Sequence, residues 1–408
     1  MTKHNTWTED FPVTALGPKE PKEKKSMAMD FLKEIKKIND MADFIDDSTM
    51  GNIPEYISTG SLALNGILSG DLFKGIPAGR VTGFMGKSGT GKSFLTARIC
   101  KEAQLIGYDI VWFETENATD KFFLQRLGVD TSRVIIIPVY SVEEFRNQTV
   151  KVIELFEKAK EEKTERKLLI VLDSLGNLPI EKELKDADEG KHAQDMGTRA
   201  KVIRSLSRVL TMKLAINQIP MVVVNHTYTN ASGYVPIEVP SGGEGVIYIS
   251  SIIALLTKSA IKEEITAGGK TVTGNILKAR TSKNRVVPEG KIAEIKVDFE
   301  EGVDKYYGLL DWAVAAGLME KQSTTYLVKH LNKKYFESKI YIPEVWEPIL
   351  TELNTYVKNN VKFSSVSDGL LKTALVEGVE EVEAVDGVED PSITAANVLK
   401  EKKKKGKK

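Results

Sequence analysis

Between about residues 50 and 300 the chain alternates two hydrophobic patterns. Short unbroken apolar runs, RVTGFMG (80–86), DIVWFETE (109–116), RVIIIPV (133–139), KLLIVLDS (167–174), MVVVNHT (221–227) and SIIALLT (251–257), are separated by stretches rich in Leu, Glu, Lys and Arg. A run that is apolar at every position, and too short for a helix, suits a strand covered on both faces. The stretches between read as helices, so the pattern predicts an α/β fold built on a doubly wound, mainly parallel twisted sheet. TAGGK (266–270) reads as a hairpin turn, which predicts antiparallel strands at one edge.

The flanks differ from this core. SMAMDFLKEIKKIND (26–40) sets Met27, Phe31, Ile35 and Ile38 at roughly helical spacing, a small amphipathic helix behind a polar, Pro-containing arm. Its apolar stripe needs a partner, either its own domain or a neighbouring copy. Four stretches follow from these shifts: 1–50, 51–310, 311–372 (mainly helical) and a tail, 373–408. The tail is expected to be disordered, because VEGVEEVEAVDGVEDP carries seven acids and no base and KEKKKKGKK ends the chain with seven lysines.

Composition adds exclusions. Lys+Arg and Asp+Glu are both 57, so no global charge announces a polyanion binder and any such contact must be local. Cys100 is the only cysteine, which excludes an intramolecular disulfide, and four His do not favour a structural zinc site. No signal-peptide core or membrane-length apolar run occurs, which predicts a soluble cytoplasmic protein.

The chemistry is expected at the strand tips. GKSGTGKS, Gly86, Lys87, Ser88, Gly89, Thr90, Gly91, Lys92 and Ser93, follows a strand and opens a helix, as a phosphate-binding loop requires. Its inward N–H groups and the helix terminus hold phosphates, Lys92 reaches the β and γ phosphates, and Ser93 offers a hydroxyl to Mg²⁺. The strand KLLIVLDS ends in Asp173, a carboxylate for the same metal. DIVWFETE brings two acids, Glu114 and Glu116, to the rim as candidates to activate water; strand alternation does not choose between them. MVVVNHT, an apolar strand, ends on Asn225, His226 and Thr227.

Together EYISTGSLALNGILSGDLFKGIPAGRVTGFMGKSGTGKS, FETENA, VLDSLGNL and NHTY, with GVDKYYGLLDWAVAAGL after the core, resemble the RecA-type strand-exchange recombinases, most closely the UvsX recombinases of T-even bacteriophages. The resemblance covers about residues 30 to 320. It implies a RecA-type P-loop NTPase core, Glu116 as the water-activating acid, and Asp120 and Phe123 at the adenine, with Phe123 standing where the family has tyrosine. It puts His226 where bacterial RecA senses the γ-phosphate with glutamine. Lys283 and Arg285, in TSKNRVV, fall where the family reaches cations onto a neighbour's ATP, and alternation along a strand would aim both at one nucleotide.

For DNA, the resemblance makes 227–243 the second binding loop. It lacks Lys and Arg, so contact there would use backbone N–H groups at Gly242 and Gly243 and wedging groups such as Tyr234, Val235 or Ile237. The first loop and its helix would contribute Met196, Gly197 and the cations Lys201, Arg204 and Arg208, spaced for one helix face. The implied protein is a DNA-dependent ATPase that forms helical filaments on single-stranded DNA and exchanges strands with homologous duplex. Its cofactors are ATP and Mg²⁺, and the resemblance leaves room for single-strand-binding and mediator proteins as partners. The helix near 27–40 would dock on the adjacent protomer. Two alternatives share the core: a hexameric helicase motor and a nucleotide-gated DNA-binding scaffold with little hydrolysis.

Overall fold

The computed structural model describes residues 22–44, 51–162, 166–191, 196–230, 237–241, 245–264 and 270–362. The arm before residue 22 and the charged tail expected over 373–408 lie outside the described residues. In chain order the first elements are α1 (Lys22–Ile38), β1 (Tyr56–Ile57), α2 (Leu62–Ser69) and β2 (Ile76–Pro77). The core continues with β3 (Val81–Gly86), α3 (Lys92–Leu105), β4 (Tyr108–Glu114), α4 (Lys121–Arg126), β5 (Val134–Pro138), α5 (Val142–Glu161), β6 (Lys167–Asp173), α6 (Glu181–Asp188), α7 (Met196–Asn217) and β7 (Met221–Asn230). Then come β8 (Ile237–Pro240), α8 (Gly245–Ile249), β9 (Ile252–Glu264), β10 (Lys270–Asn284), β11 (Ile292–Asp298) and β12 (Gly302–Val303). The described chain closes with α9 (Leu310–Ala315), β13 (Met319–Gln322), β14 (Thr325–Val328), β15 (Lys333–Phe336), α10 (Pro343–Trp346) and α11 (Leu350–Val361).

All six apolar runs become neighbouring parallel strands of a ten-stranded sheet ordered β12-β11-β10-β9-β3-β7-β6-β4-β5, with β8 on β7. Their unbroken hydrophobicity has a direct cause. Along β4, Ile110 and Trp112 enter one core while Val111 and Phe113 enter the other. Along β6, Leu169 and Val171 join the first, and Leu168, Ile170 and Leu172 join the second. Period-two alternation sends neighbours to opposite faces, and both faces are covered: α2 and α3 pack on one, α5 and α7 on the other.

The edge is antiparallel, as the turn at 266–270 predicts: β9 pairs with β10 from Glu264↔Lys270 inward, and β10 pairs with β11. Two features depart from the sequence reading. β7 does not stop at the polar trio. It runs on to Asn230 because β8 pairs with it antiparallel, Thr227↔Pro240 to Asn230↔Ile237; residues 231–236 between them lie outside the described residues. The stretch expected to be mainly helical also holds a three-stranded meander, β13-β14-β15. Beyond the meander, Trp346 of α10 is fully buried, stacks with Tyr306 and Tyr341, and donates its indole N–H to Ile340 O at 2.9 Å.

On α1, Phe31 is 69% and Ile38 84% exposed, so this part of the stripe is not packed on its own chain. Among the described residues no helix is long and apolar enough to cross a membrane.

Candidate functional site

The carboxyl ends of β3, β4, β6 and β7 meet at one rim. β3 delivers Gly86 directly beside His226 of β7 and Leu256 of β9 in register. Gly86 has to lack a side chain, since a Cβ there would lie 2.5 Å from Leu256 O and 2.9 Å from Thr90 Oγ1. The loop turns at Gly89 and Gly91, both with positive φ, and α3 begins at Lys92. Lys92 is buried, and its ammonium donates to Gly86 O and Lys87 O, both at 2.9 Å. Burial lowers its pKa from the usual lysine value, against the opposing charges of Asp173 and Glu116.

β6 ends on Asp173, also buried. Desolvation pushes its carboxyl up to about 6; a hydrogen bond with Ser93 opposes this, Glu114 and Glu116 add to the rise, and Lys92 counters it. Ser93 and Asp173, in contact, supply a hydroxyl and a carboxylate, the hard oxygen donors that suit Mg²⁺. Among the described residues no cluster of three His, Cys, Asp or Glu could hold a metal unaided. A cation here would therefore complete its shell with phosphate oxygens and water.

The two acids of DIVWFETE diverge. Glu114 is the last residue of β4 and is buried; its Oε1 accepts from the backbone N–H of Glu116 at 2.9 Å, folding the carboxylate back onto its own turn. Glu116 lies beyond the strand and turns inward, its Oε1 accepting from Ser174 Oγ at 2.9 Å and meeting His226 Nε2 at 2.9 Å. Burial alone would raise the Glu116 pKa. The hydrogen bonds with His226 and Ser174, and the charges of His226 and Lys92, outweigh that and hold the carboxyl below its ordinary value. A carboxylate kept ionised beside the phosphate loop can accept a proton from, or orient, a water molecule.

Asp120 and Phe123 stand apart from this rim. Asp120 caps α4, its Oδ1 accepting from Phe123 N at 2.7 Å. Both line a cleft of about 900 Å³ whose opposite walls are Phe94 and Arg98 of α3 and Phe299 after β11. A second cleft of about 860 Å³ opens on the other side of the phosphate loop, walled by Lys87, Lys258, Lys278, Arg280 and Glu238. Lys87 pairs with Glu238 of β8 at 3.1 Å.

Lys283 and Arg285 are not near Lys92. Lys283 pairs with Ile253 of β9, itself level with Gly83. That is three residues, roughly 10 Å, from Gly86 on the side away from the phosphate loop. Alternation does not align the two cations, because the β10 register shifts between Thr281 and Lys283 and the strand ends at Asn284. They are still close: burial first, then the Arg285 charge, lowers the Lys283 pKa to about 8. The Lys283 ammonium donates to Ile247 O of α8.

On α7, Lys201, Arg204 and Arg208 are all exposed, while Ile203, Leu206 and Leu210 are buried on the opposite face. Arg204 lies 5.3 Å over the ring of Tyr248 in α8. Met196 opens the helix and Gly197 beside it is exposed. Ile237 begins β8, and Tyr234, Val235, Gly242 and Gly243 lie outside the described residues.

Sequence reasoning missed Ser174, joined to Asp173 by a cis peptide, and Phe299. Ser174 had one visible signal, a small polar residue directly after the strand-end acid in VLDSLGNL.

A doubly wound sheet with a phosphate loop on β3, acids ending β4 and β6, and a polar β7 tip leading into a hairpin defines a RecA-type NTPase core. The RecA N-terminal domain matches residues 32–304, and the chain belongs to that family. It is 28% identical over 349 residues to the Recombination and repair protein of Enterobacteria phage T4, covering 84% of this chain and 85% of that protein. It is also 28% identical over 312 residues to Protein RecA of a Nitratiruptor species, covering 73% of this chain and 83% of that one.

Proposed function

We propose that this chain is an ATP-dependent homologous-recombination protein that forms helical filaments on single-stranded DNA and catalyses homologous pairing and strand exchange. One observation carries the reading: Lys283, near the end of β10, lies level with Gly83, three residues back along the sheet from the Gly86 that opens the phosphate loop. In this reading a nucleotide held by Lys92 of one copy meets Lys283 and Arg285 from a second copy. Such a head-to-tail contact, where its rotation does not close a ring, repeats into a helix. The uncovered Phe31 and Ile38 of α1 support a second copy as the partner of that helix.

In this reading the loop amides and Lys92 hold the triphosphate and Ser93 and Asp173 hold Mg²⁺, which when bound neutralises phosphate charge. Glu116, ionised, orients water toward the γ-phosphate. His226 touches Glu116 on one side and continues through β7 into the DNA-facing hairpin on the other. Lys201, Arg204 and Arg208 supply the cationic contact to the polynucleotide backbone. Asp120 and Phe123 hold the base in the 900 Å³ cleft, where the aromatic ring offers a stacking face.

Electron micrographs of the purified protein with single-stranded DNA, with and without a nonhydrolysable ATP analogue, test this. Extended helical filaments that depend on nucleotide are expected. Closed rings, or particles that ignore both ligands, would overturn it.

A further inference from the structure

The residues that grip the turn after Asp173 carry a consequence for how DNA controls hydrolysis, and it rests on the recombinase reading above. Ser174 is fully buried and donates its hydroxyl to Glu116 Oε1 at 2.9 Å. Its backbone N–H donates to Thr115 Oγ1 at 2.8 Å, and Thr115 N donates to Asp173 O at 3.0 Å. The tips of β4 and β6 are thereby stitched together, so a displacement of Ser174 moves Glu116 through both its side chain and its backbone.

The turn that follows Ser174, Leu175–Asn177, is bonded from one direction and closely packed from another. From the first-loop side comes Arg199, in the opening turn of α7 immediately after residues 192–195. Its side chain is only 16% exposed; one guanidinium nitrogen pairs with Glu183 at 3.0 Å and the other donates to Gly176 O at 3.3 Å. From the second-loop side comes Asn225 of β7, whose Nδ2 donates to Ser241 O at 2.8 Å. The fit there is close: a Cβ on Gly176 would lie 2.6 Å from Asn225 Oδ1 and 3.2 Å from Ser241 Cβ. Asn225 is fully buried, and its Oδ1 has no hydrogen-bond partner among the described residues. An unmet buried acceptor favours any rearrangement that brings it a donor. Ser241 immediately precedes residues 242–244, and its N–H donates to His226 O at 2.8 Å.

Both segments assigned to DNA thus end on one three-residue turn, and that turn begins at the residue that aims Glu116. We propose that Ser174 and Arg199 are positioning residues through which the state of the two DNA loops sets the aim of the Glu116 carboxylate, so that stimulation of ATP hydrolysis by single-stranded DNA passes through the Ser174–Asn177 turn. Arg199 touches neither nucleotide nor DNA in this scheme. It holds the turn to α7, so that ordering α7 on DNA fixes Gly176, Ser174 and then Glu116.

The test compares ATP hydrolysis by the full chain with and without single-stranded DNA, beside DNA affinity measured by fluorescence anisotropy with a nonhydrolysable analogue. Arg199→Gln is expected to lose at least tenfold of the DNA stimulation, with DNA-free turnover, KM for ATP and DNA affinity all within about twofold of the parent. Arg199→Lys, which keeps the charge opposite Glu183 but cannot make both contacts, is expected to fall between. Ser174→Ala is expected to lower turnover with and without DNA while leaving KM unchanged. Unaltered stimulation in both Arg199 variants overturns the proposal. So does a loss of stimulation matched by an equal loss of DNA affinity, which would make Arg199 a builder of the DNA surface. A parent protein that neither hydrolyses ATP nor binds single strands overturns the recombinase reading itself, a result distinct from either.

Discussion

Replacing His226 by alanine isolates the contact that joins Glu116 to the β7–β8 pair. In the parent, Glu116 Oε1 holds two hydrogen bonds, one with Ser174 and one with His226, each 2.9 Å. A hydrogen bond to an ionised partner contributes about 1.5–3 kcal/mol. With side-chain exposures of 27% for His226 and 32% for Glu116, water screens the pair and the lower end applies, about 1.5 kcal/mol. If that energy positions the carboxylate, its loss costs roughly tenfold in kcat with KM for ATP little changed. The same bond helps hold the Glu116 carboxyl below its ordinary value. A depressed acid is ionised above its folded pKa and loses its charge as pH falls through it, so removing His226 moves the acid limb of the rate profile to higher pH. His226→Gln keeps a donor and should stay within about threefold of the parent. Steady-state ATP hydrolysis with saturating single-stranded DNA, followed from neutral to acidic pH, measures all of this. An alanine variant with kcat within twofold of the parent and an unmoved acid limb would refute the reasoning.

Four further outcomes are expected. Lys283→Ala should hydrolyse ATP poorly in assemblies yet recover when mixed with Glu116→Gln, because mixed interfaces restore one complete site; no recovery would mean that the cations do not act between copies. Since burial, then the Arg285 charge, lowers the Lys283 pKa to about 8 in the single chain, nucleotide-dependent assembly should weaken as pH rises through that value and the free protein's ammonium becomes neutral, whereas Lys283→Arg should stay flat across the same range, as light scattering against pH would show. Gly86→Ala forces a Cβ to within 2.5 Å of Leu256 O; a shift of about 1 Å in the phosphate loop should lower kcat/KM for ATP by about 10²-fold, measurable by steady-state kinetics. Trp346→Ala should destabilise the region around α10 by about 3–5 kcal/mol, visible as a lower midpoint in thermal unfolding followed by circular dichroism.

Much of the molecule could be read from its residues. Five of the six parallel strands were legible because their apolar runs are buried on both faces, which removes polar residues and leaves a signal that period and length alone resolve; β5, at the sheet edge, keeps its apolar run although Ile135 and Ile136 are exposed. The phosphate loop was legible because its chemistry is local: a strand, glycines free to turn, a lysine and a hydroxyl within eight residues. The exposed face of α7 followed from the three- and four-residue spacing of its cations. The meander was less legible, since β13, β14 and β15 span only four residues each and mix polar with apolar positions.

The phosphate loop, the strand-end acids and the doubly covered sheet are all written in consecutive residues, and the order of residues was enough to find them. Which partners distant residues meet emerged only once the chain was packed. Glu114 and Glu116 are two positions apart in one run, yet it is Glu116 that meets Ser174 and His226, 58 and 110 residues beyond it. Lys283 was set apart from Lys92 by strand order and direction. Periodicity reports whether a position is buried; it carries no record of which remote atom lies opposite, because that is fixed by how the sheet is threaded.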